Sequence, residues 1–412
     1  MTDLQEAPAV VPASATKRFT LGTRGWILIS LASFLFISLI RVTTDAENLT
    51  SVGAVQSALK AAVPIALAGL AGLWSERAGV VNIGLEGMMI LGSFGCGEVG
   101  QYHGAWGGVI TGMICGALGG LVLALATVTF GVDHIVAGVA LTIVAQGLTL
   151  FLANLWMGGQ KGKSVPDVQR ITINGFAPWL HHVQEKGWFF VSDLAGTVGG
   201  FVTQFSVLSL LTIIFIIASG WILWRTRFGL RLRSTGEAPY AAESLGVSVY
   251  WYKYVAVTIS GAIAGLGGAF LVVGLNYQDQ QTGGRGYIGL ASLIFGNWRP
   301  AGMALGSVLF GYTDGVRLYD PTGEAMHAFV LLVSIALAVY AALQFRLAHR
   351  AVALVSAVIA ALGLLWFAMT DTIPEQFVGA APYVITLLVM GLASQHLRPP
   401  KADGHPYRKG SH

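Results

Sequence analysis

The chain has 412 residues, of which 54% are hydrophobic and only 11% charged, with a net charge of +4. Soluble domains carry about 25% charged residues. This composition therefore excludes an ordinary soluble enzyme, offers no basic surface for a nucleic acid, and points to an all-α polytopic membrane protein. The 54 glycines against 13 prolines suit helices whose backbones approach closely in lipid. Cys96 and Cys115 both fall in apolar runs and read as small buried hydrophobes, with no disulfide or metal spacing.

Residues 1–24 read as a disordered cytoplasmic tail, polar and Pro/Ala-rich, ending near Lys17 and Arg18. A membrane domain over 25–396 follows. Its first apolar run, Trp26–Ile40, is taken as an uncleaved span because no A-x-A site follows it. Further crossings are expected at Val52–Leu73, Ala78–Gly97, Ala105–Phe130 and His134–Met157. Residues 158–203 break the pattern with Lys161, Asp167, Arg170, Glu185 and Pro178, and read as an extracellular loop long enough for a small folded excursion. After the Val207–Trp224 span come Arg225, Arg227, Arg231 and Arg233 without an acid among them, the strongest cytoplasmic signal in the chain. Later segments lie at Trp251–Val273, Tyr287–Phe295, Ala301–Val316, Ala328–Leu343, Ala351–Met369 and Ala380–Leu392. About ten to twelve transmembrane or re-entrant segments result. With the N-terminus inside, twelve segments put every basic cluster inside, including a cytoplasmic tail at 397–412. An internal repeat is suggested by Asn82-Ile-Gly-Leu-Glu86 beside Tyr287-Ile-Gly-Leu-Ala291, followed by Gly112/Gly116 and Gly302/Gly306 respectively.

The stretch Ser75–Met89, SERAGVVNIGLEGMM, places Glu76, Arg77, Asn82, Glu86 and three glycines between two apolar runs. Ionisable groups at membrane depth need a partner or a wet cavity, and this density of glycine suggests a broken or re-entrant helix. Asn82 and Glu86 would share a face if helical, either lining a cavity or pairing structurally. Glu76 and Arg77 read as interfacial groups. Gly-x-x-x-Gly pairs at 112/116, 116/120, 261/265 and 302/306 read as close-packing contacts.

Other motifs point away from chemistry. GGQKGKS at 158–164 lacks the glycine that a phosphate-binding loop needs at 157, where Met157 stands. His181-His182 has no metal-ligand spacing. Asp133-His134 opens a span, as an interfacial anchor or a proton relay. No nucleophile–base set or carboxylate pair stands out, so an enzyme is not expected.

The polar stretch Ser234–Tyr250, within a cytoplasmic loop at 225–250, differs. Pro239 suits a first helical position and Gly246 the residue past a C-terminus. A seven-residue helix between them would present Ala241, Ala242 and Leu245 on one side, in the shape of a docking element.

Three stretches then carry a resemblance: ERAGVVNIGLEGMM (76–89), GEAPYAAESLGVSVYWYKYVAVTISGAIAGLGGAF (236–270) and GRGYIGLASLIFGNWRPAGMALGSVLFG (284–311). Over about residues 52–345 the chain resembles permease subunits of bacterial ABC importers, in the group of ribose, branched-chain amino acid and nucleoside permeases, and most of all the guanosine-type nucleoside members. The resemblance implies a multi-pass plasma (inner) membrane subunit that binds no cofactor itself. Its implied partners are a second, paralogous permease, a cytoplasmic ABC ATPase that uses the ATP, an extracellular substrate-binding lipoprotein and the lipid bilayer. It also implies that Gly236, Glu237, Pro239, Tyr240, Ala242, Glu243 and Gly246 form the segment seated in the ATPase. For a neutral, polar nucleoside, Asn82, Glu86 and Gln146 are the candidate path residues. Uptake of a simple sugar or of branched-chain amino acids is the alternative substrate reading, and an ion-coupled secondary transporter is the alternative class.

Overall fold

The computed structural model describes residues 23–157, 161–168, 170–171, 177–202, 205–320, 323–347, 349–371, 373, 384 and 397–410. Nearly all of the proposed N-terminal tail and the last proposed span, Ala380–Leu392, lie outside the described residues.

The described residues are mostly helical. Helix α1 (Thr23–Thr44) leads into α2 (Val52–Arg77), which is capped by Ser51 accepting from the Ala54 amide. Helix α3 (Leu85–Ala124) is two helices joined at Gly104, where φ is +79° and ψ 174°. That break supplies the turn expected between the third and fourth crossings. A π-turn, Leu125–Thr129, follows, and α4 (His134–Trp156) starts on an Asp133 cap that accepts from the amides of Ile135 and Val136.

The outer loop holds structure that the sequence reading only outlined. Strand β1 (Lys161–Ser164) and strand β2 (Arg170–Ile171) precede α5 (Ala177–Glu185) and α6 (Val191–Val202), and β3 (Phe205–Ser206) follows. Buried Asp193 on α6 pairs with Arg41 of α1 at 2.6 Å and accepts from Thr50, fixing this excursion to the first two helices. His181 and His182 are exposed on α5 beside Glu185.

Helix α7 (Val207–Arg225) returns to the basic side. There α8 (Arg227–Glu237) and α9 (Pro239–Ser244) lie before α10 (Val249–Val272). Strand β4 (Asn276–Gln278) pairs antiparallel with β1, and β2 with β3. The remaining described helices are α11 (Arg285–Phe295), α12 (Pro300–Tyr319), α13 (Glu324–Arg346) and α14 (Arg350–Met369). Among the described residues seven helical stretches are long and apolar enough to cross a membrane.

The core is an inverted repeat. In each half a long helix (α2 or α10) is followed by an excursion, a second helix (the first arm of α3, or α11), a break with positive φ (Gly104, or Asn297–Trp298) and a third helix (the second arm of α3, or α12). The two most extensive helix pairs cross between halves, α10 on α3 and α2 on α12. Helix α2 runs toward the side of α8 and α9 while α10 runs away from it. The halves are therefore related by an axis in the membrane plane, as in many transporters.

Glycines set both seams. Gly112, Gly116 and Gly120 lie against the backbone of Gly261 and Gly265, and Gly311 and Gly315 lie against Ala62 and Ala58. The structural counterparts of Gly112 and Gly116 are thus Gly311 and Gly315. Gly302 and Gly306 instead pack on Gly296 and Phe295. The Asn-Ile-Gly-Leu echo is also out of register: Asn82 precedes its helix, whereas Tyr287 lies inside α11. The repeat lives in helix order and close packing rather than in those four letters.

Candidate translocation path and coupling segment

Asn82 does not share a helical face with Glu86. Residues 79–84 are non-helical, and α3 begins only at Leu85. The reason is that side chains from other helices take up the backbone groups of this segment. His134 Nδ1 accepts from the Val81 amide at 3.3 Å, and Lys253 Nζ donates to the Gly79 carbonyl at 3.3 Å. Irregular backbone at membrane depth requires such internal partners. His134 is thereby an anchor for the re-entrant segment.

At the tip of this segment Asn82 is fully buried and donates to Ser260 Oγ on α10 at 2.9 Å, while its Oδ1 meets no hydrogen-bond partner among the described residues. Glu86, one residue into α3, crosses to the other half of the repeat. Its carboxylate accepts from Thr282 Oγ1 at 2.6 Å and from the amides of Gly284 at 2.9 Å and Gly286 at 2.7 Å. Those amides are the free N-terminal groups of α11, and an anion there complements the helix dipole. The N-termini of two helices, α3 and α11, one from each half, thus meet with Glu86 as the joint. Next to it Arg285 pairs with Asp314 of α12 at 2.6 Å.

Gln146 lies apart from this junction, on an exposed face of α4. The cavity on the outer side, about 470 Å³, contains none of Asn82, Glu86 and Gln146. Its walls include Gln56 and Lys60 of α2, Asp167, Phe270 of α10, Gln281 and Arg285. Gln281 and Arg285 belong to the excursion and helix that Glu86 caps, so cavity and junction adjoin through this segment.

At the opposite end, Glu76 and Arg77 are more than interfacial. Glu76 is 2% exposed and accepts from the Trp298 indole at 2.5 Å, while Arg77 donates to the Trp298 carbonyl at 2.6 Å. Arg77 also reaches Glu237 at 3.7 Å and lies over the Trp224 ring. These contacts join the inner ends of α2, α7, α8 and the turn before α12. Gly236 packs against the Arg77 carbonyl.

Helix α9 has the caps expected for it, Pro239 at its start and Gly246, with φ +80°, past its end. It is six residues long and does not present Ala241, Ala242 and Leu245 together. Neighbours on a helix point about 100° apart. Ala242 turns inward with Pro239, while Ala241, Ser244 and Leu245, 85% exposed, form the outer face. Tyr240 packs tilted against Tyr407 of the C-terminal segment, ring centroids 5.3 Å apart, and Glu243 faces the same tyrosine.

Helices in an inverted repeat, a buried joint between re-entrant halves, an outer cavity and a short exposed helix on the basic side define a membrane permease. Residues 54–339 match the family described as branched-chain amino acid transport system / permease component, and the chain belongs to that family. It is similar to the guanosine ABC transporter permease protein NupQ of Bacillus subtilis, 32% identical over 86% of this chain and 96% of the relative. It is also similar to the nucleoside ABC transporter permease protein NupC of Lactococcus lactis subsp. cremoris, 33% identical over 84% of this chain and 93% of the relative. The guanosine ABC transporter permease protein NupP of Bacillus subtilis is 26% identical over 60% of this chain and 69% of the relative. No solved structure matches the chain. Family membership and the seven apolar stretches make it a multi-pass inner-membrane protein.

Proposed function

We propose that this chain is the membrane subunit of an ABC importer that moves nucleosides inward, driven by ATP hydrolysis in separate subunits. The observation that carries the reading is α9, a capped helix with a free face on the basic side, in a chain similar over most of its length to nucleoside permeases. The chain itself uses no ATP and needs no cofactor. An ABC ATPase seats on Ala241, Ser244 and Leu245. A substrate-binding lipoprotein delivers to the outer face, where β1, β4, α5 and α6 stand. A second, paralogous permease completes the path; similarity to both NupQ and NupP of one organism supports that pairing.

The outer cavity suits the substrate class. A pocket of about 300–1,000 Å³ takes a small organic ligand, and this one is lined by the Phe270 ring together with the polar residues Gln56, Gln281 and Asp167. When the ATPases close, α9 moves the inner ends of α2 and α10, and the Glu86 joint lets the two re-entrant halves shift as a unit. Asn82, whose buried Oδ1 has no hydrogen-bond partner among the described residues, is a group near that joint that would accept from a passing hydroxyl or amine.

Uptake of labelled guanosine, adenosine, uridine, ribose and leucine in cells with and without the gene tests the proposal. Selective loss of nucleoside uptake supports it. Selective loss of ribose or leucine uptake moves the substrate, and no loss in any of the five refutes the substrate reading.

A further inference from the structure

The C-terminal segment, residues 397–410, lies wedged between the coupling helix and the membrane domain. The Arg398 amide donates to Asn297 Oδ1 at 2.8 Å, at the break before α12. The Ala402 amide donates to the Gly236 carbonyl at 2.9 Å, and the Lys401 amide to Glu237 at 3.4 Å. Beyond this turn, the Ala402 carbonyl and Gly404 lie against Gly79 and Val81 of the re-entrant segment. Asp403 points inward toward Lys253, Arg77 and Glu76. Tyr407 then enters between Tyr240 and Tyr250, ring centroids 5.3 and 5.4 Å away, and with Ala242 and Val249 it closes a small apolar core of its own.

Each contact is modest, yet together they join the elements whose relative motion matters: α9, the start of α10, the break before α12 and the backbone three residues before Asn82. Helix α9, at six residues, packs Ala242 into a small apolar cluster that Tyr407 shares with Val249 and Tyr250. A helix this short is unstable alone, so its orientation depends on what it packs against. The outer face of α9 is left open by the tail.

We propose that residues 397–410 are a working part of the coupling apparatus, a strap through which movement of α9 reaches the re-entrant segment, with Tyr407 as the positioning residue. The proposal rests on the ABC-importer reading and adds a component to it. The strap acts on transmission and leaves ATPase binding to the exposed face of α9.

The test uses the full complex, reconstituted with its ATPase and binding protein in vesicles, and measures co-purification of the ATPase, ATP hydrolysis and substrate uptake. Four chains are compared: wild type, Tyr407→Ala, Tyr407→Phe and one lacking 397–412. Tyr407→Ala and the shortened chain are expected to keep the ATPase and to hydrolyse ATP, while uptake per ATP falls by roughly tenfold. Tyr407→Phe, which keeps the ring, is expected to restore coupling. Unchanged uptake per ATP in Tyr407→Ala overturns the proposal, and so does loss of the ATPase in step with uptake, which would make the tail an assembly surface only. Leu245→Arg, on the face the tail leaves open, separates the two readings. Its failure to disturb ATPase binding would count against the coupling role of α9 itself, whatever the tail variants do.

Discussion

Replacing Glu86 by alanine removes the carboxylate that accepts from Thr282, Gly284 and Gly286 at the joint between the re-entrant halves. Three donors lose their partner: Thr282 Oγ1 and the amides of Gly284 and Gly286, at 2.6, 2.9 and 2.7 Å. Hydrogen bonds to a charged group contribute about 1.5–3 kcal/mol each. The three share one acceptor and do not add in full, and Glu86 is 4% exposed, so little water can replace it. The expected loss is about 4–6 kcal/mol. Glu86→Gln keeps one accepting oxygen and should lose about half of that. Thr282→Val removes one donor together with its need for a partner and should cost about 1 kcal/mol. The assay is thermal unfolding of the detergent-solubilised chain followed by monodispersity, where Glu86→Ala should melt roughly 10 °C or more below wild type. A Glu86→Ala variant within about 2 °C of wild type would refute the joint. Full stability with abolished uptake in Glu86→Gln would instead assign the carboxylate to the substrate.

Other outcomes follow from the same contacts. Gly265→Leu drives a side chain into the backbone of Gly112 and Gly116, where nothing flexible can yield. It should separate α3 from α10 and cost about 3 kcal/mol or more, read as loss of folded protein at ordinary growth temperature. Glu243→Arg, beside Tyr407, should leave the protein in the membrane and ATP hydrolysis running while uptake falls; normal uptake would count against the docking role of α9. The Asp403 carboxyl is pushed up to about 7 by burial, against the pull of Lys253 and Arg77. A raised folded-state pKa makes tail docking strongest in acid: its contribution is complete below about 4 and is lost as pH rises through about 7. Protease cleavage within 397–410 should therefore quicken between about pH 5 and pH 8, and Asp403→Asn should flatten that profile. A wild-type profile already flat would remove Asp403 from the contact.

Composition and apolar run length alone determined the class, because a bilayer requires about 20 apolar residues per helical crossing and leaves few places for charge. Local chemistry was equally legible at α9, where Pro239 and Gly246 act through their own φ preferences and need no distant partner. The expected side of each loop rests on Arg225–Arg233, since positive charge is retained on one face of the membrane. What depended on partners far away in the chain was decided only by the tertiary structure. Glu76 looked interfacial until Trp298, 222 residues on, was found donating to it. Asn82 and Glu86 looked like helix neighbours until His134 and Lys253 were seen holding the intervening backbone out of helix. The Arg285–Asp314 pair and Thr282 were visible as letters, but nothing local tied them to Glu86. The tail looked like a basic end and proved to be packed against α9 through Tyr407. A residue's intrinsic preferences act over one turn of helix or one loop, whereas a buried polar group answers to whichever donor the fold brings within 3 Å, and sequence spacing does not record that.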